Sequence, residues 1–550
     1  MARPLTLAAA IALSLLFVSG AGGSPAQTPK RGGTVVLATS GGGGPAQAEP
    51  ACLNVVLASC RPSNLWLGVV GKVLEGAYDI GPDLTWRPRL ARATFTTRPP
   101  FTLTYRIRPE ARWSDGTPVS AADFLFTHRT FSARRAHLPE PVRLLIERVR
   151  SVRAVDQKTV RVVLRARVAV WQRLFVSVLP RHVLRGLDLD RVWLDGLDDP
   201  RTGHSIGSGP WLVGSWERGR QLTLVRNPRF WGEHTAYLDR LVLRFRLEGS
   251  TPLEWLRRGE VDVVGPVPPE QLVELGRQPG VRTLATPLSS WEHFALRLGP
   301  GGHPALRSKL VRRALAFGLD RVALAREAFG AIDPRYPVSD SAVFLLGSRH
   351  YHPTWRGYRH RPAHARRLLE QAGCRLGGDG VYVCGRDRLS LRFVTNAGVS
   401  IRARVLRLAQ AQLRGVGVEV VPEYLPSVAF TGPGGAIWRG DFDVAQFAWL
   451  YGPDPLRKPI FGCGGEENVM GYCQRLATRD LDQLDLILDP GRQARVGRRV
   501  DALLARDVPV IPLYQLPDLI ARRASIRNFV VARGGFVPSM QHAEEWWLDR

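Results

Sequence analysis

Residues 101–124 read FTLTYRIRPEARWSDGTPVSAADF. From Phe101 to Ile107 apolar and polar side chains alternate strictly, which predicts a strand with one face covered and one exposed. Asp115-Gly116 is a tight-turn dipeptide. Ser120 followed three residues later by Asp123 is a capping box, so a helix starts at Ala121. A half-exposed strand, a turn and a capped helix within so few residues describe a mixed α/β chain.

Upstream, Gly33–Ala38 forms a first strand and Leu65–Gly76 a first helix, ending in Glu75-Gly76-Ala77-Tyr78. Far downstream, Leu391–Thr395, Ile401–Leu413 and Val416–Val421 read as strand, helix and strand, a β-α-β unit. Thr431–Gly440 reads as a Gly-rich surface loop, and Val508–Tyr514 as a late strand. Between these last two lies Asp441–Pro455, DFDVAQFAWLYGPDP. Its first half suits a strand buried on both faces. From Trp449 the turn formers Gly452, Pro453 and Pro455 break the strand and leave Trp449 and Tyr451 on a loop. Rigid aromatic surface on a loop held by a buried strand is suited to lining a ligand cleft.

A chain of 550 residues exceeds one core and divides into at least two domains. Apolar content of 45% and charged content of 23% are those of a globular protein. The net charge of +27 comes almost entirely from arginine, since only five of the 76 basic residues are lysine. The arginines are scattered singly and in pairs without a basic stripe, so nucleic acid is not an expected partner. Arg3 followed by the apolar run Leu5–Val18 and small residues predicts a secretory signal peptide over residues 1–26. Val18-Ser19-Gly20-Ala21 has Ala where a lipoprotein box needs Cys, so the protein is expected to be exported without a lipobox cysteine. It would work in the periplasm or on the outer face of the cytoplasmic membrane. The six cysteines fall as close couples: Cys52 with Cys60, Cys374 with Cys384, and Cys463 with Cys473. Local pairing is the simplest of the possible connectivities, and disulfides suit an exported chain. The middle couple flanks Gly377-Gly378-Asp379-Gly380 and would clip a hairpin.

The run Tyr105-Arg106-Ile107-Arg108 through Trp113-Ser114-Asp115-Gly116 to Ser120-Ala121-Ala122-Asp123-Phe124 resembles the signature of the extracellular solute-binding proteins (family 5) that serve oligopeptide, dipeptide and nickel ABC importers. Further blocks follow in the family's order. Gly207-Ser208-Gly209-Pro210-Trp211 with Leu222–Trp231 resembles its strand–turn–strand block. Leu256–Val263 resembles its helix followed by a Gly-Glu-x-Asp step, and Thr251-Pro252-Leu253-Glu254 reads as the cap of that helix. His303–Arg321 and Ala365–Gly373 resemble two of its helices, and Asp441–Pro455 and Asn468 with Gly471-Tyr472 complete the series.

The resemblance implies an α/β, bilobal periplasmic-binding-protein-like fold with a hinged cleft and an extra subdomain on the first lobe. By analogy, lobe I comprises 27–80, 200–285 and a C-terminal return at 515–550. The extra subdomain covers 81–199, and lobe II covers 286–514. It further implies a monomer that captures a peptide or peptide-like solute and passes it to an ABC permease. An exported sensor or chaperone-like protein on the same fold, or a secreted hydrolase, is the alternative. The implied ligand contacts are Trp449, Tyr451, Asp454, Trp291 and Tyr78, whereas Trp113 and Trp231 read as core. Peptide-binding relatives carry Asp three residues after the Trp, where it meets the peptide's free amino group. Here that position is Gly452, with Asp454 two residues on, and the Trp449-to-Pro455 spacing is similar to the nickel-type pattern.

Enzyme signatures are missing: the chain has no G-x-S-x-G, H-E-x-x-H, Walker or Rossmann motif in context. His350, His352, His360 and His364 cluster in sequence, but Arg359, Arg361, Arg366 and Arg367 crowd them and would repel a cation. No cofactor and no metal site are expected.

Overall fold

The computed structural model describes residues 28–38, 49–60, 64–81, 85–135, 138, 140–233, 235–245, 252–452, 454–530, 540 and 542–549. The expected signal peptide, 1–26, lies outside the described residues. Among the described residues no helix is long and apolar enough to cross a membrane.

Among the described residues, ten strands form one mixed sheet. In chain order they are β1 (Thr34–Ala38), β2 (Trp211–Glu217), β3 (Gln221–Arg226), β4 (Arg240–Arg244), β5 (Val263–Val264), β6 (Val281–Leu296), β7 (Ser390–Asn396), β8 (Glu419–Leu425), β9 (Val444–Leu450) and β10 (Val510–Arg523). Their spatial order is β8-β7-β9-β6-β10-β5-β1-β4-β3-β2. The two long strands β6 and β10 are antiparallel and join the two halves of the sheet. Val281–Pro287 pairs with Pro517–Arg523 beside β5, and Trp291–Ala295 pairs with Val510–Gln515 beside β9. The ladder slips between Pro287 and Trp291. Pro287 stands opposite Pro517 there, and neither has an N–H to donate, so pairing is weakest at that point.

The strand predicted at 101–107 runs from Thr102 to Ile107, with Leu103, Tyr105 and Ile107 buried and Arg106 exposed. It lies in a separate four-stranded antiparallel sheet, between Ala91–Thr96 and Thr159–Leu164, with Val149–Ala154 at the far edge. The expected helix spans Ala121–Ala133. Its capping carboxylate, Asp123, accepts the Ser120 N–H at 2.8 Å and also the Arg181 N–H at 2.9 Å. Trp113 is fully buried.

β7, the helix Ser400–Arg414 and β8 form the expected unit, with β7 and β8 parallel. The second strand begins at Glu419 rather than Val416. Val416 and Val418 are buried, but Val418 N–H donates to Leu413 O in the turn that closes the helix. Likewise the late strand starts at Val510, because Val508 ends the preceding helix with φ of 48°. It then continues to Arg523 through the polar and proline positions 515–518. The loop expected at 431–440 contains a short helix, Ala436–Arg439, whose Ala436 and Ile437 are buried. The C-terminal segment returns to the first helix, where Glu544 pairs with Lys72 at 2.9 Å.

The cysteines are bonded within each close couple: Cys52–Cys60, Cys374–Cys384 and Cys463–Cys473. Cys374 and Cys384 stand directly opposite each other in a hairpin. Replacing Cys463 and Cys473 together by Ser should cost about 2–3 kcal/mol on the chain-entropy view of a short closed loop, read as a lower urea midpoint.

Asp518 follows Pro517 on β10 and is 5% exposed, with one carboxylate oxygen buried and without a hydrogen-bond partner among the described residues. Burial pushes its pKa up to about 7, above the ordinary value of about 3.9 that it regains on unfolding. The folded chain therefore holds the proton more tightly, and this group lowers stability as pH rises from about 4 to 7. Asp518→Asn should remove that slope and raise stability at pH 8 by on the order of 4 kcal/mol, measured as unfolding midpoints across the range.

Candidate ligand-binding site

A cavity of about 640 Å³ lies where three parts of the chain meet. Val70, Lys72 and Tyr78 come from the first helix and the short strand after it. Phe131, Leu145, Val170, Arg173 and Leu174 come from the segment carrying the four-stranded sheet. Leu450, Tyr451, Gly452, Asp454, Arg457 and Ile460 come from β9 and the loop that follows it. The volume is within the range that small-solute sites occupy, and the wall is apolar with a few converging polar groups.

The turn formers after Trp449 predict that the strand ends there. In the structure β9 includes Trp449 and Leu450, because they pair with Trp291 and Ser290 of β6. Directly opposed residues share a sheet face, and a row of rings results. Trp291 stacks on His293 at 4.3 Å and on Tyr451 at 5.4 Å. His293 meets the edge of Phe447 at 4.6 Å, and Phe447 meets Trp449 at 5.1 Å, with Trp438 at 6.0 Å beyond it. Burial holds the His293 pKa down at about 3, so this ring is neutral. Trp291 is 1% exposed and Trp449 half-buried, and neither is part of the cavity wall.

Tyr78, Tyr451 and Asp454 do meet at the cavity. The Tyr78 hydroxyl accepts the Ala93 N–H at 2.8 Å, and its ring meets Trp171 edge-on at 5.2 Å. The Tyr451 hydroxyl donates to Ala342 O at 3.1 Å, and burial raises its pKa. Cations that the sequence does not single out also line the wall, Arg173 and Arg457 together with Lys72, Arg148 and Lys458. Arg173 donates to the Asp454 carboxylate at 3.0 Å, while Trp86 Nε1 approaches the other oxygen at 3.4 Å. The Arg173 guanidinium occupies the space a side chain on Gly452 would take.

Arg457 is 4% exposed and lies over the Tyr451 ring at 3.5 Å. It donates to the carbonyls of Val343, Asp454 and Leu456 at 3.1, 2.8 and 3.2 Å. Burial lowers its pKa to about 10, which leaves it charged at neutral pH. Arg173 is 281 residues from Asp454 in sequence, so no local pattern pointed to it. Arg457 had a weak signal, being a cation just past the aromatic turn.

Other contacts cross the same gap. Ala169 N–H donates to Asp485 O at 2.8 Å, and Arg143 pairs with Glu466. The histidine cluster does not assemble: His350 accepts from Arg349 and His364 meets the edge of Phe317. No group of three potential metal ligands forms among the described residues.

One large sheet shared by two halves, with a cavity between them, defines an α/β bilobal fold of the periplasmic-binding-protein type. It is similar to the periplasmic EDTA-binding protein EppA, with TM-score 0.81, 22% identity and coverage of 95% of this chain and 98% of that one. It is also similar to the oligopeptide-binding protein AppA of Bacillus subtilis, solved with a nonapeptide, with TM-score 0.73, 18% identity and coverage of 95% and 100%. In sequence it is 29% identical to the oligopeptide-binding protein OppA of Mycobacterium tuberculosis, over 83% of this chain and 76% of that one. Residues 85–468 match the model for bacterial extracellular solute-binding proteins, family 5. The chain belongs to that family, whose members are substrate-binding proteins rather than enzymes.

Proposed function

We propose that this is an exported solute-binding protein that captures a peptide or peptide-like solute between two lobes and delivers it to an ABC importer. The observation that carries this reading is the cavity itself, walled by residues from both halves of the chain. The names of the oligopeptide-binding relatives support a peptide-like cargo. Lobe I would comprise 27–80, 200–285 and 515–550, with the extra subdomain at 81–199 and lobe II at 286–514. The slip in the β6–β10 ladder is a natural hinge for them. A solute touching both lobes shifts the balance toward closure, which a permease then reads.

Tyr78, Tyr451 and Asp454 would contact the solute. Trp291 would support Tyr451 from behind, and Trp449 would meet solute only beyond the cavity wall. The chain would work as a monomer, breaking no bond of its cargo. The test is a thermal-shift screen of the purified protein against pools of di- to hexapeptides. A ligand at 100 times its Kd should add roughly 2.7 kcal/mol of stability. Peptide hydrolysis without any shift would replace this reading with a hydrolase.

A further inference from the structure

From the polar groups of the cavity wall, we infer that the bound solute is anchored by a carboxylate on Arg457 and Arg173, and not by a free amino group on Asp454. The inference rests on the solute-binding reading and names the chemistry of its cargo.

Asp454 is already occupied. One of its carboxylate oxygens takes Arg173 and the other faces Trp86 Nε1. An incoming ammonium would have to displace a guanidinium that arrives from the opposite side of the cavity. The donors have spare capacity instead. Arg457 uses Nε and Nη1 on three backbone carbonyls, and none of its contacts among the described residues engages Nη2. Although Arg457 is 4% exposed, it makes no ion pair with a carboxylate among the described residues; Tyr451, Asp454 and Glu467, all on the cavity wall, favour its charge through the longer-range field. Among the described residues, the buried Nε of Arg173 has no hydrogen-bond partner. The two guanidinium groups flank residue 454, one on its carboxylate and one on its carbonyl. Arg173 lies close enough to disfavour the charge on Arg457. A carboxylate placed against them relieves that repulsion and accepts the remaining N–H donors, the pairing a guanidinium fork favours most. The apolar remainder of the solute then lies against Val70, Val170, Leu174 and Ile460.

The test compares three tetrapeptide pools by calorimetry and thermal shift: unmodified, N-acetylated with a free C-terminal acid, and free-amine with a C-terminal amide. The unmodified and acetylated acids should bind at least tenfold more tightly than the amides. Arg173→Gln, which also releases Asp454, should lose at least tenfold for acids and move its preference toward the free-amine amides. The melting temperature of the unliganded variant checks that it is folded. If the amides bind as well as the acids, or Arg173→Gln weakens all pools equally, the carboxylate anchor is wrong while the solute-binding reading stands. If no pool binds, both fall.

Discussion

Arg402→Ala should destabilise the protein by about 3–5 kcal/mol, because it strands a buried carboxylate. Glu292 sits on β6 with its side chain 1% exposed. It receives Arg402 through two parallel bonds, Nε at 2.8 Å and Nη2 at 2.9 Å. Burial opposes the charge on Arg402, and Glu292 restores it. The remaining nitrogen donates to Asn396 Oδ1 at 2.5 Å, so the arginine ties the long strand β6 to β7 and to its own helix. The urea midpoint reads the loss. The double variant Glu292→Leu with Arg402→Met should recover most of it, since removing both charges leaves nothing unpaired. A loss below about 1 kcal/mol for Arg402→Ala would place the pair in the range of solvated ion pairs.

Trp291→Ala should cost a similar amount, about 3–5 kcal/mol, as expected for removing a large ring from a packed core. Trp291 is buried between His293 and Tyr451, so the vacated volume opens beside a residue of the cavity wall. Stability should therefore fall together with solute affinity. Trp291→Phe should keep most of both, whereas a fall in affinity with unchanged stability would make Trp291 a direct ligand contact. The contrast with Trp449 is informative. Its half-buried ring meets Phe447 and Trp438 at one end of the same row, so Trp449→Ala should cost less stability than Trp291→Ala.

Local rules made much of the fold legible. Strict alternation at 101–107, the Ser120–Asp123 cap and the β-α-β unit each depend on neighbours a few residues apart; the first two appear where expected, and the unit appears with its second strand starting at Glu419. The cysteine couples closed locally, as the simplest pairing required. The long strands were harder to see. Pro287 and Pro517 look like strand breakers, yet each sits within a strand whose hydrogen bonds skip it. Val416 and Val418 have strand-like composition but serve a helix terminus. At the site, sequence brought Tyr78, Tyr451 and Asp454 to one cavity. It did not reveal that Arg173, from another part of the chain, already holds Asp454. Only the folded arrangement brings those charges together.

Hydrogen exchange of the purified protein, with and without a pool of di- to hexapeptides, tests most directly whether a solute closes between the two halves. Solute capture at this cavity requires slower exchange on both sides at once, in residues 78–88 and 171–177 and in residues 450–467. Unchanged exchange in all three segments, or protection confined to one side of the cavity, would mean that no solute is clasped there.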